Sequence, residues 1–397
     1  MPTKLKKRHL MDYGILIPYL ILCVFGLVMV YSSTSYDQLV KGLNPMEPVI
    51  KQAAFFVISL VLIGIIYKMK TDFLKRKNLS AIAIVVMLAL LIFTRFFYNH
   101  QVNGAYGWIK LPGMTIQPAE FFKIIVIWFL AVKLAARQKI INEPGIPKRL
   151  SMPLLYVFSG IIIIALMPDL GNAAIIMLIA IAMMLASGIN FWYSVVVGIG
   201  GIIASVGVIK GIALLGNTLG EKINAIPFSH VFERFIVYQD PFEYLYDKGH
   251  QLVNGYYAFY NGGLFGRGLG NSIQKKGFLQ FPYTDYIFAV VVEELGLIVA
   301  ILVLALVFYM IVRIFLVGIR STDPFNSLMS IGIGALFMVQ VFVNLGGVLG
   351  IIPLTGVTFP FLSQGGSSLL MLSICIGFVL NISAEEKRKK YGISLGS

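Results

Sequence analysis

The chain has 397 residues, of which 58% are hydrophobic and only 13% are charged. Soluble domains usually carry about 25% charged residues, so this composition argues against a soluble protein with one large core. The net charge of +14 would suit a nucleic-acid partner, but the basic residues cluster beside apolar segments, which indicates membrane topology and no nucleic acid. Cys23 and Cys375 lie inside apolar segments and are interpreted as small buried hydrophobic residues.

Apolar residues are concentrated in blocks of about 16–30 residues, near or above the ~17–25 that cross a bilayer as a helix. The sequence therefore predicts an all-α polytopic membrane protein with ten transmembrane helices. The predicted spans are 14–33, 53–67, 79–97, 118–136, 152–167, 171–187, 191–214, 286–317, 325–348 and 361–383. The basic stretch KLKKRH precedes a first apolar segment that we interpret as a retained helix rather than a signal peptide.

Basic residues in the short connections set the predicted orientation, because Lys and Arg favour the cytoplasmic side. They lie before span 1, after spans 2, 4 and 8, and in the tail, and with ten spans these positions share one side. Both termini are therefore expected in the cytoplasm. Residues 215–285 then form a large extracellular loop, which is too long for a plain connector and is expected to be functional. Residues 1–397 are interpreted as one transmembrane domain that contains this loop.

Ionisable residues at membrane depth are candidates for function, and this chain has few. Asp285 stands directly before span 8 in FPYTDYIFAVVVEELG. Glu293 and Glu294 lie roughly 12 Å further along the same helix. Structural roles compete with chemistry here, because Asp285 or Thr284 could cap span 8. The two glutamates could instead form hydrogen bonds between helices.

Other charged residues share the predicted outer side. Glu120 and Lys123 lie on one face of span 4 and form either a structural ion pair or part of a site. Asp169, in the turn MPDLGN, either organises that turn or faces a ligand. Several cations on this side suit an anionic ligand such as phosphate or pyrophosphate. These cations are Arg95, Lys110, Lys222, Arg234, Lys248, Arg267, Lys275 and Lys276.

The stretch IIPLTGVTFPFLSQGGSSLL, residues 351–370, interrupts the helical pattern. Broken backbone at membrane depth is tolerated where it is buried in protein or lines a cavity. Its hydroxyls and amides suit phosphate or sugar, although a plain loop that caps the last span is the alternative. No nucleotide-binding fingerprint is present. An enzyme outside the cell also lacks ready nucleotide sugars or ATP, so its activated substrate would come through the membrane, most simply on a lipid carrier.

Six stretches occur in order along the chain: NGAYGWI, TIQPAEFFK, PDLGN, GHQLVNGYYAFYNGGLFGRGLGNS, TDYIFAVVVEELG and GVTFPFLSQGGSS. Together they resemble the SEDS (shape, elongation, division and sporulation) family of ten-helix peptidoglycan glycosyltransferases. The resemblance covers nearly the whole chain. The forms GLGNSIQKKG, NGAYGWI and TFPFLSQGG are more similar to the division-type members of Gram-positive bacteria than to the elongation-type members.

The resemblance implies that lipid II, a disaccharide-peptide on undecaprenyl pyrophosphate, is polymerised on the outer face of the cytoplasmic membrane at the division septum. The family's essential aspartate matches Asp285, the expected catalytic base. Its outer Trp and its Glu–Lys pair match Trp108, Glu120 and Lys123. The other expected substrate-binding residues are Arg234, Lys248, Gln251, Ser363, Gln364, Gly365 and Gly366.

The resemblance also implies partners. A class B penicillin-binding protein, which is a transpeptidase, is expected because this chain shows no such domain, and other division proteins are expected with it. A divalent cation (Mg or Mn) could share the pyrophosphate charge, although no Asp-x-Asp ligand pair is present.

The chain departs from the family pattern at three positions. Gly107 replaces an Arg before the Trp, Tyr283 replaces a His before the Asp, and Asn172 replaces a Thr or Ser after PDLG. Three other functions stay open: a lipid II flippase, a scaffold for division proteins, and an elongation-type polymerase. No internal repeat of the transporter kind is visible in the sequence. The candidate charged residues lie together on the predicted outer side, and both observations favour the enzyme.

Overall fold

The computed structural model describes residues 4–5, 7–98, 101–102, 105–111, 114–138, 146–189, 237–245, 249–392 and 394–395, with the single positions 192, 195, 199 and 234. The described helices are α1 Tyr13–Val40, α2 Glu47–Lys68, α3 Thr71–Leu74, α4 Lys77–Phe96, α5 Pro118–Ala135, α6 Ile146–Ala165, α7 Leu170–Ala186, α8 His250–Gly262, α9 Ile287–Arg320, α10 Pro324–Val348 and α11 Gly366–Lys390, with a 3-10 turn at Lys7–Leu10. The strands are β1 Lys4–Leu5, β2 Gln101–Val102, β3 Ala105–Tyr106, β4 Ile109–Leu111, β5 Met114–Ile116 and β6 Ser394–Leu395.

The helical membrane fold predicted from the apolar segments is confirmed. Helices α1, α2, α4, α9, α10 and α11 are long and apolar enough to cross a membrane, and α6 and α7 contain shorter apolar helices. Nine of the ten predicted spans coincide with a described helix to within several residues. The predicted span 191–214 lies almost wholly outside the described residues, so the count of ten stays a prediction.

The long helices run in two opposite directions and give the bundle two distinct ends. Helices α2, α5, α7, α9 and α11 begin at one end, which we call the cavity end. The termini lie at the other end, the terminal end, where β1 pairs in parallel with β6. Helices α10 and α11 form the centre, since 72% and 89% of their most apolar windows are buried, against 22% for α2.

An ionic network joins the helices at the terminal end. Asp12 caps α1 by accepting a hydrogen bond from the Gly14 amide. The same carboxylate accepts two bonds from Arg313 Nη2, at 2.9 and 3.0 Å, and one from Ser383 Oγ at 3.2 Å. Lys387 Nζ lies 3.6 Å from it. The network therefore connects the start of α1 to the last turns of α9 and α11.

The predicted span 8 is not one continuous helix. Gly296 has φ 84°, a left-handed conformation that breaks α9 after its first nine residues. The amides of Arg267 and Gly268 donate to the carbonyls of Glu293 and Glu294, at 3.0 and 2.8 Å. The chain at 263–268 thus inserts into the break and supplies donors to carbonyls that the helix leaves unpaired.

The side chains of Glu293 and Glu294 are fully buried. Glu293 accepts hydrogen bonds from the Ile273 and Gln274 amides, at 3.1 and 3.2 Å. Glu294 forms an ion pair with Lys275 at 2.6 Å and accepts a hydrogen bond from Ser32 Oγ of α1. The predicted bonding between helices is therefore confirmed for Ser32 and for Asn261 of α8, whose Nδ2 donates to Glu293 Oε1 at 3.2 Å. Most of the other contacts hold the loop that follows α8.

Candidate active site

A cavity of about 1460 Å³ lies where the starts of α2, α5, α7, α9 and α11 converge. It exceeds the ~300–1,000 Å³ of a site for a drug-sized ligand, so it has room for a substrate with more than one sugar ring. Among the described residues, the charged side chains that line it are Lys51, Lys110, Glu120, Asp169, Arg234 and Asp285. The cavity therefore places cations and carboxylates around one space.

Asp285 lines the cavity and does not cap α9. The N-cap residue is Tyr286, which makes no side-chain capping bond, so the capping interpretation is wrong. Asp285 stands across from Gly356, whose φ is 75°. A Cβ at Gly356 would lie 3.7 Å from Asp285 Oδ2 and 3.6 Å from Arg234 Nη1. The carboxylate and the guanidinium therefore flank the same glycine.

The surroundings of Asp285 favour its protonated form more than water does. Burial raises the pKa of the Asp285 carboxyl to about 6, although the nearby Arg234 guanidinium and the Thr284 hydroxyl act in the opposite direction. A carboxylate with a pKa close to neutral is a better proton acceptor than an ordinary aspartate. The position thus suits a general base.

The irregular segment before α11 supports Asp285 and also lines the cavity. Gln364, Gly365 and Gly366 line it, as the sequence predicted, but Ser363 does not. Ser363 Oγ donates to the Thr284 carbonyl at 2.7 Å and accepts a hydrogen bond from a backbone amide. In this structure Ser363 therefore holds the backbone beside the site.

The opposite wall begins with the hairpin β4–β5, which leads into α5. Trp108, directly before β4, lines the cavity with Glu120. Lys123 does not line it, because its side chain is fully buried and its Nζ lies 2.8 Å from Glu120 Oε1. The structural ion pair suggested as one alternative is thus present, and the Lys123 charge is directed at Glu120.

Asp169 caps α7 and also lines the cavity. Its carboxylate accepts hydrogen bonds from the Asn172 amide at 3.1 Å and from Gln117 Nε2 at 2.7 Å. Burial is the main cause that raises the pKa of this carboxyl, although the bonds from Asn172 oppose it. The turn-organising interpretation is confirmed, and it coexists with a place in the cavity wall.

The cations expected from the sequence have different locations in the structure. Lys110 and Arg234 line the cavity, whereas Lys275 is paired with Glu294. Lys222 and Lys248 lie outside the described residues. Gln251 lines the cavity as expected.

Sequence reasoning missed Lys51 and Gln52, which line the cavity from the first turns of α2. The available signal was the position of Lys51, which directly precedes an apolar span at its predicted outer end. Lys51 lies on the exposed rim, where its Nζ contacts Glu47 Oε1 at 2.7 Å.

A family model with the description "Cell cycle protein", which groups FtsW, RodA and SpoVE, matches residues 14–388. The chain belongs to this family. It is 47% identical to the probable peptidoglycan glycosyltransferase FtsW of Lactococcus lactis, over 97% of this chain and 95% of that protein. It is 37% identical to the FtsW of Bacillus subtilis, over 98% and 95%. The stage V sporulation protein E of Bacillus subtilis is 33% identical, over 95% and 98%.

Solved structures show the same fold for members of the FtsW/RodA/SpoVE family. A chain of a peptidoglycan synthase complex matches with a TM-score of 0.71 at 22% identity, over 95% of this chain and 98% of that one. The rod shape determining protein RodA of Thermus thermophilus matches with a TM-score of 0.66 at 20% identity, over 95% and 97%. The family predicted from the sequence motifs is thus confirmed, and the top relatives are of the FtsW type.

Two of the three departures from the family pattern lie in the cavity wall of this family member. Asn172 and Tyr283 both line the cavity. At Gly107 an added Cβ would lie 3.2 Å from the Met167 sulfur, so the backbone there runs close to the end of α6. The departures therefore change the polar groups around the substrate space and leave Asp285 in place.

Among the residues that the structure describes, no group of three or more His, Cys, Asp or Glu side chains could hold a metal ion. Mg²⁺ prefers several oxygen ligands in near-octahedral geometry. The described residues therefore do not fit a metal site built by the protein alone, and an Mg or Mn ion at this site would need phosphate oxygens as ligands.

Proposed function

We propose that this FtsW/RodA/SpoVE family member is a peptidoglycan glycosyltransferase that polymerises lipid II into glycan strands for the septal wall. The names of its relatives, at up to 47% identity over nearly the full length, support the activity. The single observation that carries the mechanism is the position of Asp285, which faces Arg234 across Gly356 in a large cavity.

The reaction follows from the groups around the cavity. Asp285 accepts the proton of the acceptor sugar's 4-hydroxyl while that oxygen attacks the anomeric carbon of the donor. The bond from that carbon to the pyrophosphate oxygen breaks with inversion. Arg234, Lys51 and Lys110 offset the charge of the departing pyrophosphate. Lys123 is not assigned this role, because its side chain is fully buried and does not line the cavity.

The cavity end faces the outside of the cytoplasmic membrane in this proposal. Its support is the pattern of basic residues, which are abundant at the terminal end. A class B penicillin-binding protein is the proposed partner. The support is the structural neighbour, which belongs to a complex that coordinates polymerization and crosslinking.

Polymerisation of labelled lipid II in detergent tests the proposal. The purified protein, with a class B penicillin-binding protein from the same organism, is expected to make glycan polymer. Asp285→Asn is expected to lower the rate by at least 100-fold, because the general base is lost. Asp72→Asn is the matched control, since the Asp72 side chain is 89% exposed at the terminal end. Equal polymer from wild type and Asp285→Asn would contradict the mechanism.

A lipid II flippase makes a different prediction. It would move lipid II between leaflets of a vesicle and make no polymer in detergent, whether or not Asp285 is intact. The carboxylates that line the cavity, Glu120, Asp169 and Asp285, all lie at the starts of helices that begin at the same end of the bundle, which supports the enzyme. A scaffold for division proteins would make no polymer and move no lipid II, so Asp285→Asn would change neither assay.

A further inference from the structure

Three consecutive backbone carbonyls lead up to the start of α9, and each accepts a hydrogen bond from a different group. The Gln364 amide donates to the Tyr283 carbonyl at 2.8 Å. Ser363 Oγ donates to the Thr284 carbonyl at 2.7 Å. Asn344 Nδ2 donates to the Asp285 carbonyl at 2.9 Å. The backbone that carries Asp285 is thus fixed at every residue.

Asn344 differs from the other two donors because it comes from a central helix and bridges two segments. It lies in α10 and is 3% exposed. Its Nδ2 also donates to the Val357 carbonyl at 2.8 Å. Both amide hydrogens are therefore used, one on each side of the gap in which Gly356 faces the Asp285 carboxylate.

Only a few side chains can perform this bridge. An Asn amide nitrogen carries two hydrogens and can donate to two carbonyls at once. An Asp of the same shape would place oxygen against two carbonyl oxygens, and a Leu would leave both carbonyls without this donor. Asn344 is not among the residues that line the cavity, and it is 3% exposed.

We propose that Asn344 is a positioning residue for the glycosyl transfer, which holds the Asp285 backbone and the Gly356–Val357 wall at a fixed separation without touching substrate. This inference rests on the proposed function. Because a shift of about 1 Å in a catalytic group can cost ~10²-fold in rate, loss of the bridge lowers kcat more than it changes KM.

The test compares Asn344→Asp and Asn344→Leu with wild type in the lipid II assay. We expect kcat to fall about 10- to 100-fold, with KM within about threefold. If Asn344→Asp does not fold, Asn344→Ser serves instead, because it removes atoms and adds no charge. Melting temperatures in detergent identify variants that have lost structure.

The pH profile separates positioning from general stabilisation. Among the described residues, the titratable groups that interact electrostatically with the Asp285 carboxylate are Arg234, Tyr283 and Tyr286. All of them remain in Asn344→Leu and Asn344→Ser, which add no charge. Asn344→Asp adds a carboxylate that would itself raise the pKa of Asp285, so the pH profile is measured on the uncharged variants. A loosened wall admits water to the carboxylate, so the acidic limb of kcat/KM is expected to move to lower pH. A purely structural residue would leave this limb unchanged.

Asn326→Leu is the matched control. Asn326 is a fully buried asparagine on the same helix, and its Nδ2 donates to Glu386 Oε1 at 2.7 Å at the terminal end. It is expected to lower the melting temperature while kcat and the pH profile of the folded enzyme stay as in wild type. Asn344 variants that match this control overturn the positioning role. If the wild-type enzyme makes no Asp285-dependent polymer, the proposed function itself fails.

Discussion

The Asp285 carboxylate is subject to two opposing influences, since burial raises its pKa and the Arg234 guanidinium lowers it, with a net value of about 6. The base must be deprotonated to act, so activity is lost as pH falls through this value. We expect kcat/KM to decrease about tenfold per pH unit below pH ~6 and to level off above it. Initial rates between pH 4.5 and 8 check this, and a profile that stays flat from pH 5 to 7 would exclude Asp285 as the base.

Arg234 has a separable effect on the same group. Arg234→Gln removes the positive charge that holds the pKa of Asp285 down, so the acidic limb is expected to move to higher pH. Weaker contact with pyrophosphate should raise KM as well. Arg234→Lys keeps the charge and is the control, expected to retain the wild-type limb. A limb that stays in place in Arg234→Gln would show that the guanidinium does not act on Asp285.

At the scale of residues, the sequence predicted Asp285 and the glycines at 365 and 366 because each belongs to a recognisable motif. It could not give the role of Lys123, since a helical spacing of three does not say whether a side chain points to a cavity or into the protein. The burial of Lys123 depends on neighbouring helices that are distant in sequence. Lys51 was missed for a similar reason, because it reaches the site only through the packing of α2 beside α11.

At the scale of elements, α9 shows what an apolar run does not reveal. Hydropathy is continuous from Tyr286 onward, so the sequence predicts one span. The break at Gly296 depends on the chain 263–268, which supplies hydrogen-bond partners from another part of the sequence. The buried pair Glu293 and Glu294 was the available sign, because two adjacent carboxylates need many donors and a regular helix offers them none.

Gly296→Ala tests the importance of this break. Alanine is strained at φ 84°, and its Cβ would collide with the Leu264 carbonyl oxygen. We expect the free energy of unfolding to fall by about 1–3 kcal/mol. Thermal unfolding in detergent measures this loss.

Gly64→Ala is the matched control, because Gly64 lies within the exposed face of α2 and an added Cβ there meets nothing within 4 Å. It should leave the melting temperature unchanged or slightly higher. Equal melting temperatures for the two variants would show that a side chain is accommodated at position 296 without loss of stability.

At the scale of the whole molecule, the two ends of the bundle have different tasks. The residues proposed for catalysis line the cavity end, and the ionic network around Asp12 lies at the terminal end. Asp12→Asn leaves Arg313 and Lys387 without their carboxylate. We expect a loss of about 1–3 kcal/mol in unfolding free energy, measured by thermal melting.

The kinetic constants of the folded Asp12→Asn enzyme provide the second measurement. We expect kcat and KM to equal those of wild type, because the network lies at the end of the bundle opposite to Asp285. A lowered kcat in fully folded Asp12→Asn enzyme would contradict this separation and would show that the two ends are coupled.

The overall architecture was the most predictable level, because apolar segments and basic flanks depend only on local composition. Spans such as 325–348 coincide closely with their helices. The start of α11 was placed five residues too early, since the apolar residues of 361–365 belong to the irregular segment. That error comes from tertiary contacts, because Ser363 and Gln364 bond to the backbone before α9 instead of continuing a helix.

The break in α9 also bears on how the enzyme tolerates different lipids. The part of α9 after Gly296, residues 297–320, is about 36 Å long at 1.5 Å per residue. This length already crosses a hydrocarbon layer of about 30 Å. When the bilayer is thinner, tilting of residues 297–320 alone can therefore keep this segment within the hydrocarbon layer. The nine helical residues before the break, 287–295, follow directly after Asp285 and stay attached to the loop. The acyl-chain length of the surrounding lipid should therefore alter the tilt of residues 297–320 and leave the rate of polymerisation nearly constant.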